Sequence, residues 1–305
     1  MKNYLKTKIK KLTPFQLIVY YYFLTVSVST LFLSLPLALK PGVRIPLIDT
    51  IFVAASAVSV TGLSTINISE TFSTSGIVIL MLILQVGGIG IMSITTFFWL
   101  LLGKKIGLKQ RKLIMTDQNQ MNLAGLVKML KMILLLIILI ELCGALILGT
   151  YFLRYYPNWQ EAYLHGLFSS ISATTNAGFD LTGQSLIPFA QDYFVQFINM
   201  ILITLGAIGF PVLMELKEFL FRKKTAVKFH FSLFTKITTS TYAILLVFGT
   251  ITIFLIEKDL FLKGKEWYDA FFYTTFQSNT TRSAGLVKMD INEFSTPTLL
   301  IMAGL

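Results

Sequence analysis

The sequence predicts an all-α membrane protein assembled from a repeated unit: a long apolar helix, a short re-entrant half-helix, a returning strand and a second long helix. Three observations predict it. The chain of 305 residues is 54% hydrophobic and only 13% charged, with a mean hydropathy of +0.71, where a soluble domain carries about 25% charged residues. Its cations cluster between long apolar runs. Three short amphipathic segments, each closed by a glycine, recur along the chain.

The net charge of +11 would suit a nucleic-acid-binding protein, but its distribution does not. Eighteen of the 26 Lys and Arg fall in three segments, five in 1–11, seven in 103–131 and six in 217–236. These alternate with apolar stretches, which is the positive-inside pattern rather than a base-reading face. The N-terminus and both basic loops are therefore expected in the cytoplasm, with no nucleic acid bound. The segments around 40–72, 154–193 and 257–296 hold most of the acids, among them Glu70, Glu161, Asp180, Asp192, Glu257, Asp259, Asp290 and Glu293. They are expected outside.

The basic stretch at 2–11, KNYLKTKIKK, leads into an apolar run long enough to remain as a span, so no short cleavable signal is read there. A span needs roughly 20 apolar residues. Five are expected at about 15–36, 73–102, 129–153, 193–221 and 233–256, and a sixth begins near 297. The single cysteine, Cys143, excludes a disulfide framework. It sits in an apolar run and reads as a small core residue.

Between the spans of each pair lies a segment too long for a turn and too apolar for water: 46–63, 160–179 and 267–286. Each predicts an amphipathic helix of about ten to fourteen residues, too short to span and so re-entrant. Non-helical backbone at membrane depth is tolerated only where protein buries it or where it lines a watery cavity. The closing glycines, Gly62, Gly178 and Gly285, stand 116 and 107 positions apart. A second landmark, Gly87-Gly88-Ile89-Gly90, returns as Gly206-Ala207-Ile208-Gly209, 119 positions later. Any one of these is an ordinary turn glycine; at corresponding places they predict an internal repeat.

The expected architecture is thus a pseudo-fourfold repeat of span–pore helix–filter strand–span around a central pore, of which the chain covers about two and a half repeats. Residues 1–13 form a cytosolic basic N-terminus. Residues 14–102 form the first repeat, 103–221 the second with its preceding cytosolic loop, and 222–305 an incomplete third. Residues 297–305 begin the last span, and a fourth unit is expected to follow.

Such loops suit a dehydrated potassium ion, which needs several oxygens in place of its water shell. Backbone carbonyls supply them if the strand is extended and aimed inward, and glycine permits the angles this requires. The candidates are Val60-Thr61-Gly62, Asn176-Ala177-Gly178 and Ser283-Ala284-Gly285, binding potassium through backbone carbonyls with no side-chain metal cluster. Ser59, Thr175 and Arg282 stand beside them as support. A cation facing the path would repel potassium. The Arg282 side chain is therefore expected behind the strand, on an acid or on pore-helix carbonyls. The C-terminal end of each pore helix adds partial negative charge.

The segments SAVSVTGL (56–63), SATTNAGF (172–179) and TTRSAGL (280–286), with QVGGIG at 85–90, resemble the first three pore loops of the Ktr/Trk/HKT superfamily of potassium transporters. The likeness is greatest to membrane subunits of the KtrB type and extends over the whole chain. It implies potassium uptake, which can depend on sodium, across a bacterial cell membrane. It also implies a homodimer with one pore per subunit, docked on a KtrA-like cytosolic ring of nucleotide-binding regulatory subunits. ATP or ADP would sit on that partner, and no covalent cofactor is expected. Plant relatives that carry serine at the first-loop glycine position pass sodium.

Other residues leave alternatives open. Glu141 lies inside a span, where an ionisable group is a functional candidate or packs on a polar partner. His165 and His230 have no carboxylate or cysteine cluster beside them. Lys104, Lys105, Arg111, Lys223, Lys224 and Lys228 mark topology, with docking of an acidic partner as a second use. A non-enzyme is expected, since convergent acids and histidines are lacking within the spans. The competing readings are the potassium-translocating subunit of an ATP-driven pump, whose ATP would sit on a partner, and a secondary cation transporter. The latter should show interruptions within spans, whereas the sequence places its breaks between them.

Overall fold

A computed structural model describes residues 13–90, 93, 126–221 and 229–305. The expectations for the basic N-terminus and for most of both basic loops lie outside these residues. The described secondary structure is helical, with one isolated bridge between Leu39 and Phe72. The chain divides into two compact units, Met1–Leu136 and Ile137–Leu305.

In the first unit, α1 (Pro14–Leu33) opens with Thr13 and Gln16 bonding each other's backbone reciprocally and with proline in its first turn. That arrangement satisfies two orphan N–H groups at once. Helix α2 (Leu47–Val58) follows Pro46 and carries Asp49 in its first turn. A single turn, α3 (Ile68–Thr71), leads to α4 (Thr74–Ile89). Ser73 caps α4, accepting from the Gly76 N–H at 3.1 Å, and its hydroxyl donates to the Leu37 carbonyl at 2.6 Å. The Ser73 N–H donates to the Ala38 carbonyl at 2.9 Å. These bonds tie the entry to α4 to the end of α1 and frame α2 between the two long helices.

Helix α5 (Leu126–Phe152) has 27 residues, about 40 Å at 1.5 Å per residue, ample for a bilayer core. The division between the units falls within it. Cys143 sits on its exposed face, beside Leu139, Leu142 and Leu146. The expectation of a core cysteine is corrected: helical periodicity turns position 143 away from the packed stripe that holds Gly144 and Leu148.

In the second unit, α6 (Trp159–Thr174) packs on α5. The Ser170 hydroxyl donates to the carbonyl of Glu141 at 2.8 Å, and the Glu141 side chain is buried in the same seam. Asp192 caps α7 (Tyr193–Ala207) by accepting from the Phe194 and Val195 N–H groups, each at 3.1 Å. Helix α8 (Phe210–Leu220) follows at an angle of 108°. The expected straight span at 193–221 is therefore corrected to a broken one. Gly209 holds φ +93°, and Pro211, two residues on, has no N–H to continue the ladder. Gly90, at the matching repeat position, ends α4 with φ +96°.

Helix α9 (Leu233–Glu257) is followed by α10 (Trp267–Thr281) and α11 (Thr296–Gly304). The fully buried Glu257 carboxylate accepts from the Ser295 N–H at 2.9 Å, the Ser295 hydroxyl at 2.6 Å and the Thr298 hydroxyl at 2.5 Å. It thereby caps α11 from the end of α9. The core of this unit gathers Leu148, Phe152, Phe189, Leu202, Phe276 and Leu286.

By length and composition, α1, α5 and α9 can each cross a membrane, and the bent α7–α8 pair makes a fourth crossing if taken as one. Many of their large apolar side chains are exposed, such as Phe23, Leu146, Ile244 and Phe248. A water-soluble surface rarely shows apolar patches of that extent; a lipid-facing one does.

Candidate pore loops

Each half-helix ends in a residue with helical angles, and these are the three support residues: Ser59 (φ −86°), Thr175 (φ −77°) and Arg282 (φ −75°). Each side chain donates to the carbonyl four residues back. The Ser59 hydroxyl reaches Ala55 at 2.7 Å, the Thr175 hydroxyl Ile171 at 2.7 Å, and Arg282 Nε Ser278 at 3.3 Å. The Ala55 and Ile171 carbonyls also accept from the Ser59 and Thr175 N–H groups, each at 2.9 Å, so the hydroxyls add a second bond at those helix ends.

The chain then turns back on itself. The Thr61 N–H donates to the Ser56 carbonyl at 2.9 Å, Ala177 to Ser172 at 2.8 Å and Gly285 to Thr280 at 3.0 Å. The hydroxyls of those same three helix residues clip the segment that follows. Ser56 Oγ accepts from the Leu63 N–H at 2.9 Å. Ser172 Oγ donates to the Phe179 carbonyl at 2.6 Å, and Thr280 Oγ1 to the Leu286 carbonyl at 2.7 Å. The sequence reading missed Ser56, Ser172 and Thr280. Their one signal was distance from the closing glycine, six residues in the first two loops and five in the third.

The expected extended strands are corrected to stapled turns. Gly62, Gly178 and Gly285 hold φ of +80°, +71° and +67°, and Val60 and Asn176 are left-handed as well, at +55° and +57°. For a β-branched residue such as Val60 this region is strained, on the order of 1–3 kcal/mol. The stapling bonds hold it there. The third loop differs: it is one residue shorter between clip and helix, and neither Ser283 nor Ala284 has positive φ.

Exposure divides the candidates. Thr61, Ser283 and Gly285 are exposed, Val60, Gly62 and Gly178 half-buried, and Asn176, Ala177 and Ala284 buried. Two close approaches seat the half-helices. A β-carbon on Gly87 would come within 2.6 Å of the Val58 carbonyl oxygen, at the end of α2. One on Gly206 would overlap the Thr174 carbonyl oxygen, at the end of α6. The repeated glycines at 87 and 206 therefore let the second helix of each unit lie against the exit of its half-helix.

Arg282 uses the rest of its fork on α9. Nη1 donates to the Tyr242 carbonyl at 2.9 Å, Nη2 reaches Asn279 Oδ1 at 3.4 Å, and the guanidinium carbon lies 3.9 Å from the centre of the Tyr242 ring. It meets carbonyls and an aromatic face rather than an acid.

Short helices that turn back through stapled, glycine-closed segments between long apolar helices define a polytopic membrane protein. The profile of the TrkH family, cation transport proteins, matches residues 5–305, and the chain belongs to that family. It is 57% identical to the Ktr system potassium uptake protein D of Bacillus subtilis, over 97% of this chain and 66% of that one. Identity to the Ktr system potassium uptake protein B of the same organism is 33%, over 95% and 64%. The potassium/sodium uptake protein NtpJ of Enterococcus hirae is 30% identical, over 96% and 63%. The crystal structure of the potassium transporter TrkH from Vibrio parahaemolyticus shares the fold with a TM-score of 0.60 at 16% identity, covering 92% of this chain and 54% of that one. The chain thus spans about two thirds of the length of the curated relatives it matches. Family membership agrees with the resemblance drawn from the loops; of the two Ktr proteins of Bacillus subtilis, D is the more alike.

Proposed function

We propose that this chain carries the potassium path of an uptake transporter in the bacterial cell membrane. On this reading Val60–Gly62, Asn176–Gly178 and Ser283–Gly285 are three of the four segments of a selectivity filter, supported by Ser59, Thr175 and Arg282. The observation that carries it is the repeated exit of the half-helices, each capped by a side chain, clipped by a hydroxyl and closed by a left-handed glycine. A potassium site needs several fixed carbonyls at close quarters, and helix C-termini favour a cation beside them. The relatives' names agree, and NtpJ supports sodium as a coupling ion.

The N-terminus and the basic loops at 103–128 and 222–232 face the cytoplasm in this reading, and 63–72 and 180–192 face outside. The assembly is a homodimer docked on a cytosolic ring of nucleotide-binding subunits, with ATP or ADP held by that ring. The full-length protein should restore growth on low potassium to bacteria without their own potassium systems. Failure in cells where it is inserted refutes the reading. Single cysteines test the orientation: a membrane-impermeant maleimide should reach position 184 from outside and not position 110.

One observation favours a second reading, a secondary transporter. The helix break at Gly209 lies within an expected span, which removes the ground on which the sequence set that class aside. Flux in proteoliposomes separates the two: potassium moving down its own gradient without sodium supports the channel-like reading.

A further inference from the structure

We infer that Tyr242, Asn279 and Arg282 form a clasp that sets the ion discrimination of the third loop, a positioning unit standing where the other two loops have only a hydroxyl. The inference rests on the reading of Ser283–Gly285 as filter and goes beyond it by naming what holds that segment in place.

Asn279 is 2% exposed, in the last turn of α10. Its Oδ1 accepts from the Tyr242 hydroxyl at 2.6 Å, and its Nδ2 donates to the Met200 carbonyl at 3.1 Å. One side chain therefore joins α7, α9 and α10. The Thr204 hydroxyl sits in the same group, donating to the Met200 carbonyl at 2.7 Å and lying 3.3 Å from the Tyr242 hydroxyl. Tyr242 meets Arg282 twice more, through its carbonyl and its ring face. A guanidinium over a tyrosine ring is attracted by the ring quadrupole, and its planar fork holds a fixed geometry that an ammonium does not.

The need for such a clasp follows from the loops themselves. The first two turns are fixed locally. Each has a left-handed residue four positions after the clipping serine, and a C-cap hydroxyl that bonds its own helix and, at Ser59, the Thr61 hydroxyl two residues on. The third turn is one residue shorter, lacks that left-handed residue, and presents an arginine at the C-cap. The same kinds of local bond close it, but no left-handed residue fixes its middle. Arg282 supplies the missing constraint from a neighbouring helix, with its charge drawn onto α9 by the Tyr242 carbonyl and ring. Small displacements of Ser283 and Gly285 change the number and distance of oxygens offered to an ion, which is what separates potassium from sodium.

The test compares Tyr242→Phe, Asn279→Ala and Arg282→Lys in the full-length protein, in cells without their own potassium systems. Glu257→Gln serves as a control at a buried site away from the loops, and Gly285→Ser reports on the filter reading. Tyr242→Phe keeps the ring and the carbonyl and deletes only the hydroxyl's bonds to Asn279 and Thr204, so it is the mildest probe. The readouts are the half-saturating potassium concentration, the maximal rate per inserted protein and the sodium-to-potassium uptake ratio. Loss of one hydrogen bond predicts a rise of roughly 2- to 10-fold in half-saturation, with a higher sodium ratio and a maximal rate within about twofold of wild type. Glu257→Gln should change the amount of stable protein and leave the ratio unchanged. The clasp is overturned if its variants lower only the amount of protein, with ratio and half-saturation unchanged, while Gly285→Ser alters both. If Gly285→Ser also leaves both unchanged, the filter reading fails and the clasp falls with it.

Discussion

Gly206 lies against Thr174 so closely that a β-carbon would overlap the Thr174 carbonyl oxygen and come within 2.5 Å of Asn176 Nδ2. Neither neighbour can give way cheaply, because one is backbone at a helix exit and the other belongs to a left-handed loop residue. Gly206→Ala should therefore displace the end of α6, and Gly87→Ala the end of α2, where the nearest atoms are again carbonyl oxygens. Overpacking of this kind typically costs 1–3 kcal/mol. Thermal unfolding in detergent should show both variants destabilised. Unchanged melting of Gly206→Ala would mean that the close approach does not govern the seating of α6.

The hydroxyl clips lead to a second expectation. Thr280→Val keeps volume but leaves the Leu286 carbonyl without its donor, and Ser172→Ala does the same to Phe179. Both acceptors belong to buried residues, so each change should cost about 1–3 kcal/mol. Part of that should surface as weaker potassium uptake at limiting concentration. Ser172→Thr, which retains a hydroxyl, should recover most of it. Transport assays on equal amounts of inserted protein decide the matter, and full activity in both deletion variants counts against the clips.

The spans α1, α5 and α9 and the half-helices were legible because their signal is length and apolarity, which the bilayer imposes directly. The segments at 46–63, 160–179 and 267–286 coincide within a residue with the starts of α2, α6 and α10, and Ser59, Thr175 and Arg282, expected only as support beside the closing segments, are the C-caps of those helices. The clips were not legible, because Ser56, Ser172 and Thr280 look like any hydroxyl in a Ser- and Thr-rich helix until the chain folds back. Nor was the break at Gly209, since the apolar run from 193 to 221 passes through it without a change of composition. The Gly-Phe-Pro at 209–211 held the only local cue. Arg282 could be expected behind the loop from its charge, but its partner on α9, forty positions upstream at Tyr242, is a tertiary fact.

Lys288 offers a pH test outside the apolar spans. It is 1% exposed, its ammonium donates to Gln196 Oε1 at 2.7 Å, and it lies 3.8 Å from the centre of the Tyr273 ring. Burial pushes its pKa from 10.5 down to about 7, with Asp269 opposing the shift and Lys265 adding to it. Between about 7 and 10.5 the unfolded chain binds a proton there that the folded protein has released. Stability therefore rises with pH through that window and is lowest, with respect to this group, below it. Lys288→Met removes the titration. Melting temperature followed from pH 6.5 to 9.5 should climb less steeply in the variant than in wild type. Parallel curves would show that Lys288 stays charged throughout.

Thr65 and Gly62 together frame the last expectation. Gly62, Gly178 and Gly285 hold φ between +67° and +80°, a region that costs an L-residue roughly 1–2 kcal/mol. A side chain there either rotates the carbonyl or narrows the approach of a neighbouring segment. A potassium ion stripped of water depends on the full set of oxygens, whereas sodium can be held by fewer of them together with retained water. Gly62→Ser, Gly178→Ser and Gly285→Ser should each weaken potassium uptake more than sodium uptake, with the protein still inserted. At Gly285 an added β-carbon meets nothing within 4 Å, so any effect there comes from the backbone and not from a clash. Thr65→Ser should do little, because serine keeps the hydroxyl that donates to Asp49 Oδ1 at 2.8 Å. The measurement is paired potassium and sodium uptake in cells without their own potassium systems, with membrane expression checked. Wild-type affinity and selectivity in all three glycine variants would remove these loops from the ion path.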